Sequence, residues 1–475
     1  MPRPTVTVAA CLGLLATGGA AMLLIRHVGL DLEAPAPTPG TDLRVGAGTG
    51  KGHVLFHVLL ALAAVIALGR VLGQLFKYLG QPPVIGEVVA GIALGPSLLG
   101  RISPEAMHFV IPADAAPQLG TIAQLGAILY MFIVGLELNT GRLREMASSV
   151  LAVSVTAMVV PFVAGAALAL WLYPLLSTSI VGFTSFSLFV GVAMAITAFP
   201  VLARILGDRG WGRTAPGLTA LGAAAVGDVV AWCVLALVVG VAKEQVGDAL
   251  EVVLWAAVFV AAMVAVVRPL VHRYVRTHGA DAPSPGVVAI VLVGVLLAAL
   301  ATEGIGIHAV FGAFLFGALI PHDSRLAKDI EKKLNDVVTV LLLPAFFAFT
   351  GLRTQIGLVS SASDWAVCGV IVLVATLGKF AGATAAARLT GHGWKDAAAV
   401  GALMNTRGLM ELIVLNIGLD LGVISPRLFA MMVIMALVTT LTTGPVVRIL
   451  MAPASPERGR REFGGTPVAH AQPMT

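Results

Sequence analysis

The chain has 475 residues, 58% of them hydrophobic and only 12% charged, with a mean hydropathy of +0.95; that balance excludes an ordinary soluble protein and reads as an all-α polytopic membrane protein. The formal charge of +5 does not point to nucleic acid, because the basic residues are scattered through short loops. Three cysteines, Cys11, Cys233 and Cys368, lie far apart in apolar runs, so neither a disulfide framework nor a zinc site is suggested.

Arg3 precedes an apolar run from Val6 to Ile25, and a Pro/Gly-rich stretch follows from Ala34 to Gly50. Residues 1–50 read as either a signal peptide or one extra transmembrane helix, followed by a flexible linker. The length of the run and Arg26 behind it favour the helix. Apolar spans suited to a ~30 Å hydrocarbon core then recur at 54–76, 83–100, 117–136, 147–173, 183–206, 214–242, 249–271, 286–302, 305–321, 337–352, 365–387, 397–418 and 428–450. If the first of these thirteen runs inward, nineteen Lys and Arg, from Lys77 to Arg461, fall inside. Only Lys51, Arg101, Lys243, Arg353 and Arg427 fall outside. That positive-inside bias predicts a multi-pass protein of the cell membrane with a cytoplasmic C-terminus. The tail, residues 452–475, is polar and rich in Pro, Gly and Arg, and reads as disordered.

Within the spans, polar residues stand out. In the fifth, Thr197-Ala198-Phe199-Pro200 puts a proline inside an apolar run, where it removes a backbone donor and leaves polar groups at membrane depth. Such a kink serves packing or an ion site. In the sixth, Asp228 is the only ionisable side chain between Arg213 and Lys243 apart from Cys233. It stands fifteen positions from each flanking charge, about 22 Å along a helix and so near the bilayer midplane. A carboxylate there costs several kcal/mol unless neutralised or paired, and such acids mark ion pathways and proton relays. Lys379, in the eleventh span, either snorkels toward the inner face or places a cation near that carboxylate. In the twelfth, Asn405-Thr406-Arg407-Gly408 suits an unwound stretch lining a cavity, and Arg407 and Glu411 are spaced to pair on one helical face, pinning the helix or serving the site.

The two breaks fall fifth in each of two six-span halves, and the seventh span between them reverses the second half. Interrupted helices at matching positions predict a transporter site at an inverted-repeat interface. Glu87, Glu137 and His308 are weaker candidates, the first two at helix ends and the last without a metal-spaced companion. No phosphate-binding loop or hydrolase signature is present, so neither ATP-driven transport nor an enzyme is expected, and no cofactor.

Five stretches together resemble the second family of monovalent cation:proton antiporters, most of all the bacterial relatives of plant cation/H⁺ exchangers. They are Gln81-Pro-Pro-Val-Ile-Gly-Glu87 running on to Gly95-Pro96-Ser97, Tyr130-Met-Phe-Ile-Val-Gly-Leu-Glu137, Ile196-Thr-Ala-Phe-Pro-Val-Leu-Ala-Arg204, Gly227-Asp228-Val-Val-Ala-Trp232 and Met404-Asn-Thr-Arg-Gly-Leu-Met-Glu411. The resemblance covers about residues 54–450 and makes residues 51–451 a sodium/hydrogen exchanger domain. It implies about thirteen core helices, a dimerisation and a core domain, and two crossed broken helices that hold the ion beside an acid, in a homodimer embedded in membrane lipid. Carried over, Asp228 and Thr197 bind the cation or proton, and Ala198, Phe199, Pro200, Asn405, Thr406 and Gly408 line the breaks. Lys379, Arg407 and Glu411 compensate charge, and no metal is expected beyond the transported cation. Relatives often carry two acids, or Asn-Asp, where this chain has Gly227-Asp228. The expected activity is exchange of Na⁺ or K⁺ for H⁺, electroneutral because one carboxylate serves both ions. A sodium-coupled solute symporter of the same broad fold is the alternative.

Overall fold

The computed structural model describes residues 4–30, 54–137, 147–178, 181–208, 210–242, 246–278, 283–305 and 308–451. The expected linker, 34–50, and tail, 452–475, lie outside the described residues. All regular structure among the described residues is helical, as the lack of water at membrane depth demands of a chain that must satisfy its own backbone.

The helices in chain order are α1 (Pro4–Gly29), α2 (Val54–Tyr78), α3 (Pro83–Leu94), α4 (Leu99–Ile102), α5 (Pro104–Val110), α6 (Ala116–Glu137), α7 (Ala147–Leu176), α8 (Phe183–Ala195), α9 (Phe199–Asp208) and α10 (Ala215–Ala242). The second half of the chain forms α11 (Val246–Ala262), α12 (Arg268–His278), α13 (Pro285–Ile305), α14 (Ala309–Leu319), α15 (Arg325–Val337), α16 (Leu343–Arg353), α17 (Ala362–Leu389), α18 (Trp394–Met404), α19 (Leu409–Asp420) and α20 (Pro426–Met451). Single π-helical turns join α11 to α12 at Met263–Val267 and α15 to α16 at Val338–Leu342. Nine helical stretches among the described residues are long and apolar enough to cross a membrane. With α10, the short α14 and the interrupted pairs α8/α9 and α18/α19, each of the thirteen expected spans falls on helix.

Helix starts follow from local chemistry. Ser361 and Asp364 form a reciprocal capping box on α17, Ser324 accepts the Ala327 N–H at 3.1 Å on α15, and prolines open α3, α5, α13 and α20, where the missing N–H would go unpaired in any case. Two elements differ from expectation. Span nine is too short to cross alone, since α14 has 11 residues, about 16 Å of helix, and span two is divided, α3 ending after 12 residues before α4. Gly95-Pro96 ends α3, and Ile320-Pro321 follows α14. The second difference is α15, which precedes span ten with Leu326, Ala327 and Ile330 buried and Lys328, Lys332 and Lys333 exposed. Its alternation of charged and apolar residues suits a membrane surface and hid it from a search for apolar runs.

Contacts sort the helices into two bundles. One holds α7, α8/α9, α10, α17, α18/α19 and α20, and it carries both breaks. The other, the scaffold, holds α2, α3, α6, α11, α13, α14, α15 and α16. The pairing repeats between the halves of the chain. α3 packs on α2 and α16 as α14 packs on α13 and α6, and α7 packs on α8 and α10 as α17 packs on α18 and α20. The short helices approach their neighbours through glycine: a Cβ at Gly86 would lie 2.5 Å from the α2 backbone, and one at Gly312 would lie 2.0 Å from the Ala298 carbonyl of α13. α1 packs outside this plan, on α7 and α8.

Candidate functional site

α8 ends at Ala195, residues 196–198 are not helical, and α9 begins at Phe199, so Pro200 lies in the first turn of the second half-helix. α18 ends at Met404, and α19 resumes at Leu409 after residues 405–408. The two breaks meet. The Ala198 N–H donates to the Thr406 carbonyl at 3.0 Å, and the Thr197 hydroxyl donates to the Met404 carbonyl at 3.2 Å. Gly408 permits the approach: a Cβ there would sit 2.6 Å from Cγ2 of Val201 on α9.

The open end of α8 leaves carbonyls with no helical partner, which is costly where water is absent. Two cations take them up. Arg407 donates to the Ala193 carbonyl at 2.8 Å and to the Met194 carbonyl at 2.8 Å, and the Lys379 ammonium donates to the Ala195 carbonyl. Positive charge at a helix C-terminus also complements the helix dipole. Arg407 further donates to Glu411 Oε2 at 3.0 Å, with both side chains fully buried. The pairing expected of these two residues is therefore present, but it does not run along a continuous helix, because Arg407 belongs to the break and Glu411 to the first turn of α19. Lys379 is fully buried.

Asp228 sits 13 residues into the 28 of α10, about 20 Å from its start, and is 2% exposed. Neither carboxylate oxygen accepts a hydrogen bond among the described residues. The Lys379 ammonium is within electrostatic reach of it. Asn405 Oδ1 is likewise buried and without a partner among the described residues, and the Thr406 hydroxyl donates to the Leu403 carbonyl at 2.7 Å. The result is a buried set of two acids, Asp228 and Glu411, and two cations, Lys379 and Arg407, with Lys379 within electrostatic reach of the other three. The polar atoms here are oxygens, the Asp228 carboxylate on α10, the Asn405 amide oxygen at the second break and the Thr197 hydroxyl at the first, a chemistry suited to a hard cation.

The other sequence candidates lie elsewhere. Glu87 is on α3 and Glu137 ends α6. His308 N-caps α14, accepting the Val310 N–H at 3.5 Å. Sequence reasoning missed two features. Thr440 of α20 grips the backbone of Arg407; the polar run Thr439, Thr440, Thr442, Thr443 in an apolar helix was the available signal. Arg353, at the end of α16, donates to Asn416 Oδ1 at 3.1 Å and pairs with Asp420, tying the scaffold to the last turns of α19; nothing local in the sequence marks that tie.

The model for the family "Sodium/hydrogen exchanger, transmembrane" matches residues 60–452. The chain is 43% identical over 406 residues to the Na⁺/H⁺ antiporter NhaS4 of Synechocystis sp., covering 85% of this chain and 99% of that one. It is 39% identical to cation/H⁺ antiporter 20 of Arabidopsis thaliana over 84% of this chain and 49% of the relative. With the K⁺/H⁺ antiporter 1 of Saccharomyces cerevisiae it shares 33% identity over 83% of this chain and 46% of the relative, so it spans about half the length of the plant and yeast proteins. In fold it matches the sodium proton antiporter MjNhaP1 of Methanocaldococcus jannaschii, with a TM-score of 0.62 at 16% identity, over 83% of this chain and 96% of that one. The chain is thus a multi-pass membrane protein that belongs to the sodium/hydrogen exchanger family, a family of transporters and not of enzymes.

Proposed function

We propose that this protein exchanges a monovalent cation, Na⁺ or K⁺, for H⁺ across the cell membrane by competition of the two ions for Asp228. The observation that carries the reading is the Asp228 carboxylate itself, buried at mid-helix with both oxygens unpaired beside the meeting point of two broken helices. A buried carboxylate without hydrogen bonds is stable only when it holds a proton or a cation, so one ion enters as the other leaves. Thr197 and Asn405 contribute oxygens; Ala198, Phe199, Pro200, Thr406 and Gly408 shape the breaks.

The charge count supports electroneutral exchange. Asp228 and Glu411 balance Lys379 and Arg407, so the set is neutral when empty and carries one positive charge with either a proton or a monovalent cation bound. Moving the loaded site in both directions then transfers no net charge. The two bundles support alternating access, the one with the breaks shifting against the scaffold, whose exposed apolar helices such as α13 would meet lipid or a second copy in a homodimer. The relatives' antiport of Na⁺, K⁺ or unspecified cations for H⁺ supports the same class of activity here. The positive-inside bias supports a cytoplasmic C-terminus.

The test is proton movement in inverted membrane vesicles on addition of Na⁺, K⁺, Li⁺ or Rb⁺ separately. Cation-specific collapse of a pH gradient that disappears in Asp228→Asn is the expected result. Appreciable exchange by that variant would sink the assignment of Asp228, and silence toward every cation by folded native protein would favour the solute symporter instead. Turnover driven by a membrane potential alone would refute electroneutrality.

A further inference from the structure

In each half of the chain, the helix that follows the break returns to it. In the first half α10, which carries Asp228, packs on both halves of the broken pair, α8 and α9. In the second half α20 brings Thr440 to Arg407. There the Thr440 hydroxyl accepts the Arg407 N–H at 3.0 Å and donates to the Arg407 carbonyl at 2.7 Å. Arg407 lies in the non-helical stretch 405–408, so neither of these peptide groups has a partner within its own helix, and Arg407 is fully buried. One hydroxyl satisfies both, where no water would do so.

We propose that Thr440 is a positioning residue for the cation site, occupying in the second half the place that Asp228 occupies in the first. It acts through Arg407. The backbone of that residue is held by α20, its guanidinium caps the Ala193 and Met194 carbonyls at the end of α8, and the preceding carbonyl, of Thr406, accepts the Ala198 N–H at the crossing of the breaks. The register between the two broken helices, and with it the place of Asn405 in the second break, therefore runs through the Thr440 hydroxyl. Packing alone does not supply this restraint. Arg407, Gly408 and Thr440 border a small cavity lined also by Val84, Ile85 and Val88 of α3, so packing leaves space beside the break. The first half leaves its break open to a carboxylate that takes an ion; the second half closes its break with a neutral hydroxyl and becomes the fixed wall of the site.

This inference rests on the antiport reading, and its test separates the two. Thr440→Val keeps the shape and removes the hydroxyl; Thr440→Ser keeps the hydroxyl. In inverted vesicles carrying the full chain, initial exchange rates are measured against cation concentration. Cation-dependent thermal stabilisation of the purified protein supplies a second, transport-free readout of affinity. Thr440→Val is expected to raise the half-saturating cation concentration about tenfold, in both readouts, with the maximal rate within about twofold of native, as for loss of a residue that orients a ligand. Thr440→Ser is expected to match the native chain. An unchanged half-saturation in Thr440→Val, a loss confined to the maximal rate, or a serine variant as weak as the valine one would overturn the positioning role. If Thr440→Val does not accumulate as folded protein, Thr440→Cys, with its weak donor and acceptor, is held to the same expected shift and the same refuting results. A native chain that exchanges no cation refutes the antiport reading; a native chain that does, with unaltered affinity in the variants, refutes only this one.

Discussion

Arg407→Met with and without Glu411→Gln tests the buried pair quantitatively. The substitution removes three hydrogen bonds, to the Ala193 and Met194 carbonyls and to Glu411 Oε2. The two bonds to carbonyls are charge-assisted and worth about 2 kcal/mol each, roughly 4 kcal/mol together. Glu411 is fully buried, and leaving it unpaired costs about 4 kcal/mol more. The sum, about 8 kcal/mol, is comparable to the whole stability of a typical domain, so Arg407→Met should fail to accumulate as folded, monodisperse protein after extraction. Adding Glu411→Gln removes the unpaired charge and should recover about 4 kcal/mol, enough for folded protein to reappear. The double variant should still not exchange cations, because the end of α8 remains uncapped. The assay is fluorescence-detected size exclusion with a thermal ramp, followed by vesicle exchange on whatever folds. If Arg407→Met folds as well as the native chain, or if the double variant is no more stable than the single, the electrostatic account of this pair is wrong.

Gly227→Asp should be accommodated, since a Cβ there meets only Ser154 Oγ at 3.6 Å; a second acid beside Asp228 is expected to make exchange respond to membrane potential, and voltage-insensitive exchange by a folded Gly227→Asp chain would contradict the charge argument. Gly408→Val meets Val201 Cγ2 at 2.6 Å and should force the breaks apart, at a cost of about 1–3 kcal/mol for overpacking; native-like exchange by this variant would show that the close approach is dispensable. Arg353→Gln removes the tie from α16 to Asn416 and Asp420. Because that pair is partly exposed, the loss of stability should be only about 1 kcal/mol, while hydrogen exchange in the last turns of α19 should rise; unchanged protection there would mean that the tie does not hold the two bundles together.

Much of this molecule is written in local sequence. Runs of apolar residues place all thirteen spans, because hydropathy over some twenty consecutive residues is enough to decide insertion. Pro200 and the Asn405 to Gly408 stretch mark both breaks, because proline and glycine act on the backbone where they stand. Asp228 identifies itself by isolation, since a lone carboxylate in an apolar helix is costly in any fold. Other features are not local. The close approach of α3 to α2 and of α14 to α13 rests on neighbours against which their glycines pack. Lys379 reaches the Ala195 carbonyl across 184 positions, and Arg407 reaches Ala193 across 214. Thr440 meets Arg407 across 33, and Arg353 meets Asp420 across 67. A hydrogen bond depends on donor and acceptor standing about 3 Å apart, and for residues so distant in the chain only the packing of one helix on another decides that. The sequence alone determined which residues enter the membrane and where their helices break; the tertiary structure decided which charges meet at the break, because burial forces each to find a partner and only the folded chain says which partner is near.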